Sequence, residues 1–191
     1  MITINPFSEL SEFIPSIAMQ VYVIAMVILV AGGTILDMSH KQSAKFFFRN
    51  SEKAKKSATN PVSSGEKASI ALRTVAEDVL TSAEFCNTKR RIAHLLTMYG
   101  FVIFVTTTAI MIFCYASITA ITPSILPLLW HIGALMLCVG GYWFWFFIRV
   151  DVAVEGNPWY RVIRADLFIL SLLATATFSL IWSYFQTSDI S

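Results

Sequence analysis

Residues 84–101 read EFCNTKRRIAHLLTMYGF, so that a basic cluster meets a histidine where a long apolar run begins. Arg90, Arg91, His94 and Tyr99 all carry hydrogen-bond donors, and Asp166 adds a carboxylate at the start of another apolar run. Donors at the mouth of an apolar slot are what a quinone needs, because its carbonyl oxygens accept hydrogen bonds and its tail favours hydrocarbon. The same residue types also suit any point where a helix enters lipid, since cationic heads belong at the headgroup boundary. The sequence leaves both readings open.

The chain has three histidines, His40, His94 and His131. Helix-borne histidines ligate b-type haem, and ionisable groups inside a membrane are functional candidates by default. Depth argues against one bis-histidine site. At ~1.5 Å per residue, His94 lies ~3 Å into its run from one boundary, and His131 ~9 Å into the next run from the other. Across ~30 Å of hydrocarbon their depths differ by ~18 Å, too far to share an iron. His40 and His94 lie at the same boundary, but Asp37 and Lys41 make the surroundings of His40 ordinarily interfacial. Haem b is therefore the weaker cofactor expectation. For each histidine, a hydrogen bond between helices or a place among headgroups is the plain alternative.

Composition indicates what must position these residues. Of 191 residues 56% are hydrophobic and 14% charged, too little polar surface for a soluble domain, so a bilayer is the expected solvent. Four apolar runs, Ile17–Leu36, Ile92–Ile118, Ile125–Ile148 and Leu167–Phe185, approach or exceed the ~20 residues that a spanning helix needs. Helices are expected because they satisfy their own backbone groups where lipid cannot. The predicted fold is an all-α, four-helix integral membrane protein, with residues 1–191 as one membrane domain and 37–91 as a helical insert. No Lys or Arg precedes the first run, and its end continues into a charged, helix-like stretch, so it reads as a retained anchor rather than a cleaved signal.

All 14 Lys and Arg fall in two places: eleven between Lys41 and Arg91, and three at Arg149, Arg161 and Arg164. With four crossings both segments face one side, which the positive-inside rule assigns to the cytoplasm of a bacterial inner membrane, with both termini periplasmic. Trp130, Trp182 and Tyr184 then lie near the outer boundary, and Trp143, Trp145, Trp159 and Tyr160 near the inner one. This sorting accounts for the basic insert without nucleic acid, which is not an expected partner. Cys86, Cys114 and Cys138 form no CxxC pair, which argues against a zinc or iron–sulfur site held by this chain alone.

Within 37–91, DMSHKQSAKFFFRNSEKAKKSA can extend the first helix beyond the membrane, with Phe46, Phe47 and Phe48 at the lipid surface or against a partner. TNPVSSG is a break. Ser63 and Glu66 have capping-box spacing for a second helix, whose apolar stripe is Leu72, Val75, Ala76, Val79, Leu80 and Ala83. That stripe folds back on the first helix's extension, lies at the headgroups or docks a soluble protein. Its acidic second half fits a membrane-surface helix poorly, since such helices are Lys- and Arg-rich on the polar face. No phosphate-binding glycine loop or nucleophile motif is present, so a non-catalytic subunit is expected.

Inside the runs, Gly133 and Gly140, and Ala134 and Gly141, give the third helix small-residue faces suited to close packing or to a flat cofactor. Thr106, Thr107 and Thr108 can bond back to their own helix. Asn157 and Pro158 suit the N-cap and first position of the fourth helix. Asp166 lies early in that helix, where a carboxylate is favoured electrostatically, and this weakens a proton-relay role.

LDMSHKQSAKFFF, GEKASIALRTVAEDVLTSAEFCNTKRRIAHLLTMYGF and GNPWYR resemble a family of small membrane proteins encoded with dissimilatory adenylylsulfate reductase in sulfur-oxidising bacteria. The likeness runs from about residue 30 to 165 and is strongest at 65–101. It also extends, distantly, to the membrane subunit of quinone-interacting oxidoreductase complexes. The resemblance implies a membrane anchor or electron-transfer adaptor for the soluble flavin and iron–sulfur reductase, and the stripe residues Leu72, Val75, Val79 and Leu80 are the candidate docking face. Sulfite and AMP would become adenylylsulfate on that partner, and two electrons would leave towards quinone. The chain departs from haem-bearing relatives in having few histidines and no pair at matching depth. A small haem b quinone oxidoreductase subunit and a non-redox membrane scaffold are the alternatives.

Overall fold

A computed structural model describes residues 3–40, 43–57, 63–85, 87–117, 119–151, 156, 158–164 and 166–188. Among them the regular elements are all helical. They are α1 (Pro6–Leu10), α2 (Ser16–His40), α3 (Ser43–Ser57), α4 (Ser64–Thr74), α5 (Thr88–Cys114), α6 (Ile125–Trp143) and α7 (Asp166–Ser188). α4 and α6 each continue into a π-helical turn, Val75–Leu80 and Phe144–Ile148. Four helices, Ser16–His40, Thr88–Cys114, Ile125–Ile148 and Asp166–Gln186, are long and apolar enough to cross a membrane, so the chain is an all-α membrane protein.

Local chemistry moves three of the expected boundaries. α5 starts at Thr88, earlier than Ile92, because the Asn87 side chain accepts from the backbone N–H groups of Lys89 and Arg90. It stops at Cys114, where Tyr115 leaves helical geometry, short of the expected Ile118, which lies outside the described residues. α7 begins at Asp166 and not at Asn157–Pro158: Pro158 sits in the irregular connection, and Asn157 lies outside the described residues. The Asp166 carboxylate takes the Ile163 N–H at 2.8 Å and so terminates that connection. α4 starts where the capping-box spacing predicts, with Ser63 Oγ accepting from the Glu66 N–H at 3.2 Å. Most of the expected TNPVSSG break lies outside the described residues.

α6 is the axis of the fold. Its small-residue rows face different neighbours, Gly133 and Gly140 meeting α5 while Gly141 meets Leu173 of α7. A Cβ on Gly133 would come within 2.7 Å of the Phe104 backbone nitrogen, and one on Gly140 within 2.8 Å of the Ala93 carbonyl oxygen. The rows are thus used for helix packing, which lets the backbones approach closely. Phe104, Met111, Trp130, Ala134, Leu137 and Ala176 form the buried core between the three helices.

Two tryptophans expected at membrane boundaries turn inward instead. Trp130 is 1% exposed; its indole N–H donates to Thr108 Oγ1 at 2.9 Å, and its ring packs on Phe104 and Phe7. Trp145 is buried beneath Arg149. An aromatic with one polar handle is as useful in a core that offers a partner as at an interface. Of the three adjacent threonines, Thr107 bonds back to Ile103, whereas Thr108 serves Trp130.

The short helix α1 closes the end of the bundle opposite the basic segments. The Asn5 amide donates to the Tyr115 carbonyl and to Thr122 Oγ1, and Gln186 donates to the Pro6 carbonyl. α2 touches this same end through Met19 and through Gln20, whose amide donates to the Ile112 carbonyl. The remainder of α2 is largely exposed.

Candidate functional site

A cavity of about 530 Å³ opens between the start of α5 and the start of α7. Arg90, His94 and Thr97 come from α5, Phe168 and Ile169 from α7, and Phe144 of the π-helical turn lies between them. The π geometry recurs at functional sites because it re-aims side chains at a helix end. Phe85 packs against the His94 ring at 5.1 Å between centroids, and the Arg90 guanidinium lies 5.5 Å from the same phenyl ring. His94 and Arg90 are therefore placed by a common aromatic support. Thr97 is already committed, since its hydroxyl donates to the Ala93 carbonyl at 2.8 Å.

Arg91 and Tyr99, expected beside His94, serve a different surface. Arg91 Nε donates to the Thr81 carbonyl at 2.7 Å, and the Tyr99 hydroxyl donates to the Leu80 carbonyl at 2.6 Å. The acceptors are the last residue of the insert's π-helical turn and the first residue after it, where an elbow begins. These two bonds fasten the insert to α5. The elbow turns through Ser82, whose φ of 50° is unusual for a residue with a side chain and which is almost wholly buried.

The insert's apolar stripe is not covered. Leu72 is 72% exposed, and Val75, Val79 and Leu80 are each about half exposed. Among the described residues α4 packs on its own continuation and not on α3. The stripe is therefore uncovered among the described residues, which leaves it open to a docked protein as well as to the first helix's extension. Phe46, Phe47 and Phe48 of α3 are exposed as well.

The structure also brings together a pair that the sequence left apart. Arg149, at the end of α6, is 0% exposed and forms a buried ion pair with Asp166 at the start of α7. Its Nε reaches Asp166 Oδ1 at 3.2 Å, its Nη1 donates to the Pro158 carbonyl at 2.9 Å, and its guanidinium stacks 4.3 Å over Trp145. Further donation to the Arg161 carbonyl ties down the connection between the helices. Asp166 lines the His94 cavity, but its carboxylate is occupied by Arg149 and Ile163, so it acts there as a fixed wall. The signal was present in the sequence as opposite charges at the adjoining ends of consecutive apolar runs.

His131 lies at the other end of the bundle. Its Nδ1 is 2.7 Å from the Pro127 carbonyl, which only accepts, so Nδ1 carries a proton; its Nε2 is 2.7 Å from Ser183 Oγ. Both ring nitrogens are engaged within the bundle, which is the interhelical role. His40 ends α2 in an exposed position, ~30 Å along that helix from the Gln20 contact. Among the described residues no three His, Cys, Asp or Glu side chains gather as a metal site.

No family profile, curated protein or solved structure matches this chain.

Proposed function

We propose that the chain is a membrane anchor and electron-transfer adaptor, a non-catalytic subunit that seats a soluble redox enzyme against a bacterial inner membrane. The observation that carries this reading is a juxtaposition at the start of α5. One side of the helix holds the insert, with Leu72, Val75, Val79 and Leu80 uncovered, and the other side forms the His94 cavity. A protein docked on the stripe would stand next to a cavity of a size that takes small organic molecules, roughly 300–1,000 Å³.

The cavity suits a quinone. His94 and Arg90 offer N–H donors for a carbonyl oxygen, and Phe168 and Ile169 offer apolar surface for the tail. Arg91 and Tyr99 act on the docking side, where they fix the insert's angle. The resemblance over 65–101 supports the cytoplasmic adenylylsulfate reductase of sulfur oxidation as that partner, whose flavin and clusters would carry the redox chemistry. The one-sided distribution of Lys and Arg supports a cytoplasmic insert with both termini in the periplasm. Engagement of both His131 nitrogens weighs against the haem b alternative.

Washed membranes test the reading. Leu72→Asp/Val79→Asp is expected to release adenylylsulfate reductase to the soluble fraction while the chain stays in the membrane. A reductase that remains membrane-bound in cells lacking the chain contradicts the anchor role. His94→Ala is expected to slow reduction of added quinone with docking intact; unchanged quinone reduction removes the cavity from the proposal. A reduced-minus-oxidised haem b spectrum from the purified chain would replace the reading with that of a haem-bearing subunit.

A further inference from the structure

A second groove, of about 450 Å³, lies on the other side of Arg90. Asn87, Lys89 and Arg90 of the α5 start form its polar wall, and Trp143, Phe147 and Ile148 at the α6 end form its apolar wall. We propose that this groove binds an anionic phospholipid, with the phosphodiester on Lys89 and Arg90 and the first acyl carbons along Phe147 and Ile148.

Three observations carry the proposal. First, the lining is amphiphilic in the right sense. Two cations stand in the first turn of the α5 span, and Phe147, 71% exposed, stands beside them in the last turn of the α6 span. A free anion would use only the first half of such a lining. Second, the cations are available. Among the described residues neither Lys89 nor Arg90 is bonded to a carboxylate, and Arg90 rests on the face of Phe85. The backbone N–H groups of both residues are already taken by the Asn87 side chain. The site is thus made by side chains and not by the exposed amides of a helix start. Asp151 stands at the same rim and has a bonding partner of its own. Third, the two walls are fixed with respect to each other. Just below the groove, Gly140 lets α6 approach the Ala93 carbonyl of α5 at a distance that a side chain would forbid.

General attraction between basic residues and an anionic leaflet is the competing explanation, and it predicts that any exposed cation matters equally. Surface attraction is worth about 1 kcal/mol per basic residue, or about fivefold in affinity.

The test uses the full-length chain in phosphatidylcholine nanodiscs doped with phosphatidylglycerol, with retained lipid measured by native mass spectrometry. One phosphatidylglycerol per chain is expected. Lys89→Gln should lower its retention about fivefold, and Lys89→Gln/Arg90→Gln about 30-fold, with unchanged helical content by circular dichroism. Lys53→Gln, on exposed α3, should retain it fully. The proposal is overturned if Lys53→Gln has the same effect as Lys89→Gln, if phosphatidylethanolamine is retained equally, if inorganic phosphate displaces the lipid, or if the double variant loses nothing. Arg90 lines both cavities, whereas Lys89 does not line the His94 cavity, so it is the Lys89→Gln variant alone that reads the lipid site independently of the redox reading.

Discussion

In the α5–α6–α7 bundle a buried core runs from Met111 through Leu137 to Ala176, whereas α2, α3 and α4 bury little beyond Met19 among their described residues. α2 is as apolar as the bundle helices, so hydrophobicity alone does not separate it from them. The bundle is built from small-residue contacts and interhelical polar bonds: Gly133 and Gly140 against α5, His131 to Ser183, and Tyr142 to Thr177. Such contacts hold helices together where lipid removes the hydrophobic drive to associate. α2 lacks them over most of its length, and its exposed face suits hydrocarbon. α4 is different again, because its stripe is amphipathic, lies outside the spans and is uncovered among the described residues. One half of the molecule is complete in itself, and the other presents surfaces.

The contrast can be broken most severely at Arg149. Arg149→Ala leaves the Asp166 carboxylate buried without its main partner and should cost about 3–5 kcal/mol, read as a fall in the unfolding midpoint in mild detergent. Arg149→Met/Asp166→Leu should recover most of that loss; an equally unstable double variant would mean that the contacts of Arg149 to Pro158 and Arg161 matter more than the charge pair. Next in size, Gly133→Leu should cost about 1–3 kcal/mol by forcing α5 and α6 apart. A variant of unchanged stability would show that the close backbone approach is dispensable.

The smaller effects lie on the open half. Tyr99→Phe removes a hydrogen bond worth about 1 kcal/mol. It should raise proteolysis and hydrogen exchange within residues 64–80 while leaving the bundle's midpoint in place; a uniform rise across α5–α7 would show that the insert is part of the core. Leu72→Asp should change stability by no more than about 0.5 kcal/mol, since it alters an exposed position. A larger loss in the isolated chain would mean that the stripe is packed internally after all.

The four spans were legible because runs of this length and polarity have one solution in lipid. The glycine rows of α6 were legible as packing surfaces, though the sequence did not assign one to α5 and the other to α7. The N-cap at Ser63 and the stripe on α4 were equally plain. The sequence did not separate Arg90 and His94 from Arg91 and Tyr99. All four lie on one helix, and which of them face a cavity depends on where the elbow at Ser82 returns. Arg149 looked like another boundary cation because its burial depends on the Asp166 carboxylate, across an irregular connection. Trp130 looked like a boundary aromatic because its partner, Thr108, lies on a different helix. Periodicity along one element carries no record of such pairings.

Photo-crosslinking from position 79 of the insert, with position 28 of α2 as the lipid-facing control, probes the division between complete and open halves where it bears on function. In intact membranes a probe at 79 should capture a soluble flavin and iron–sulfur enzyme, and a probe at 28 should capture only lipid. Capture of lipid alone from both positions would contradict the anchor role of the insert.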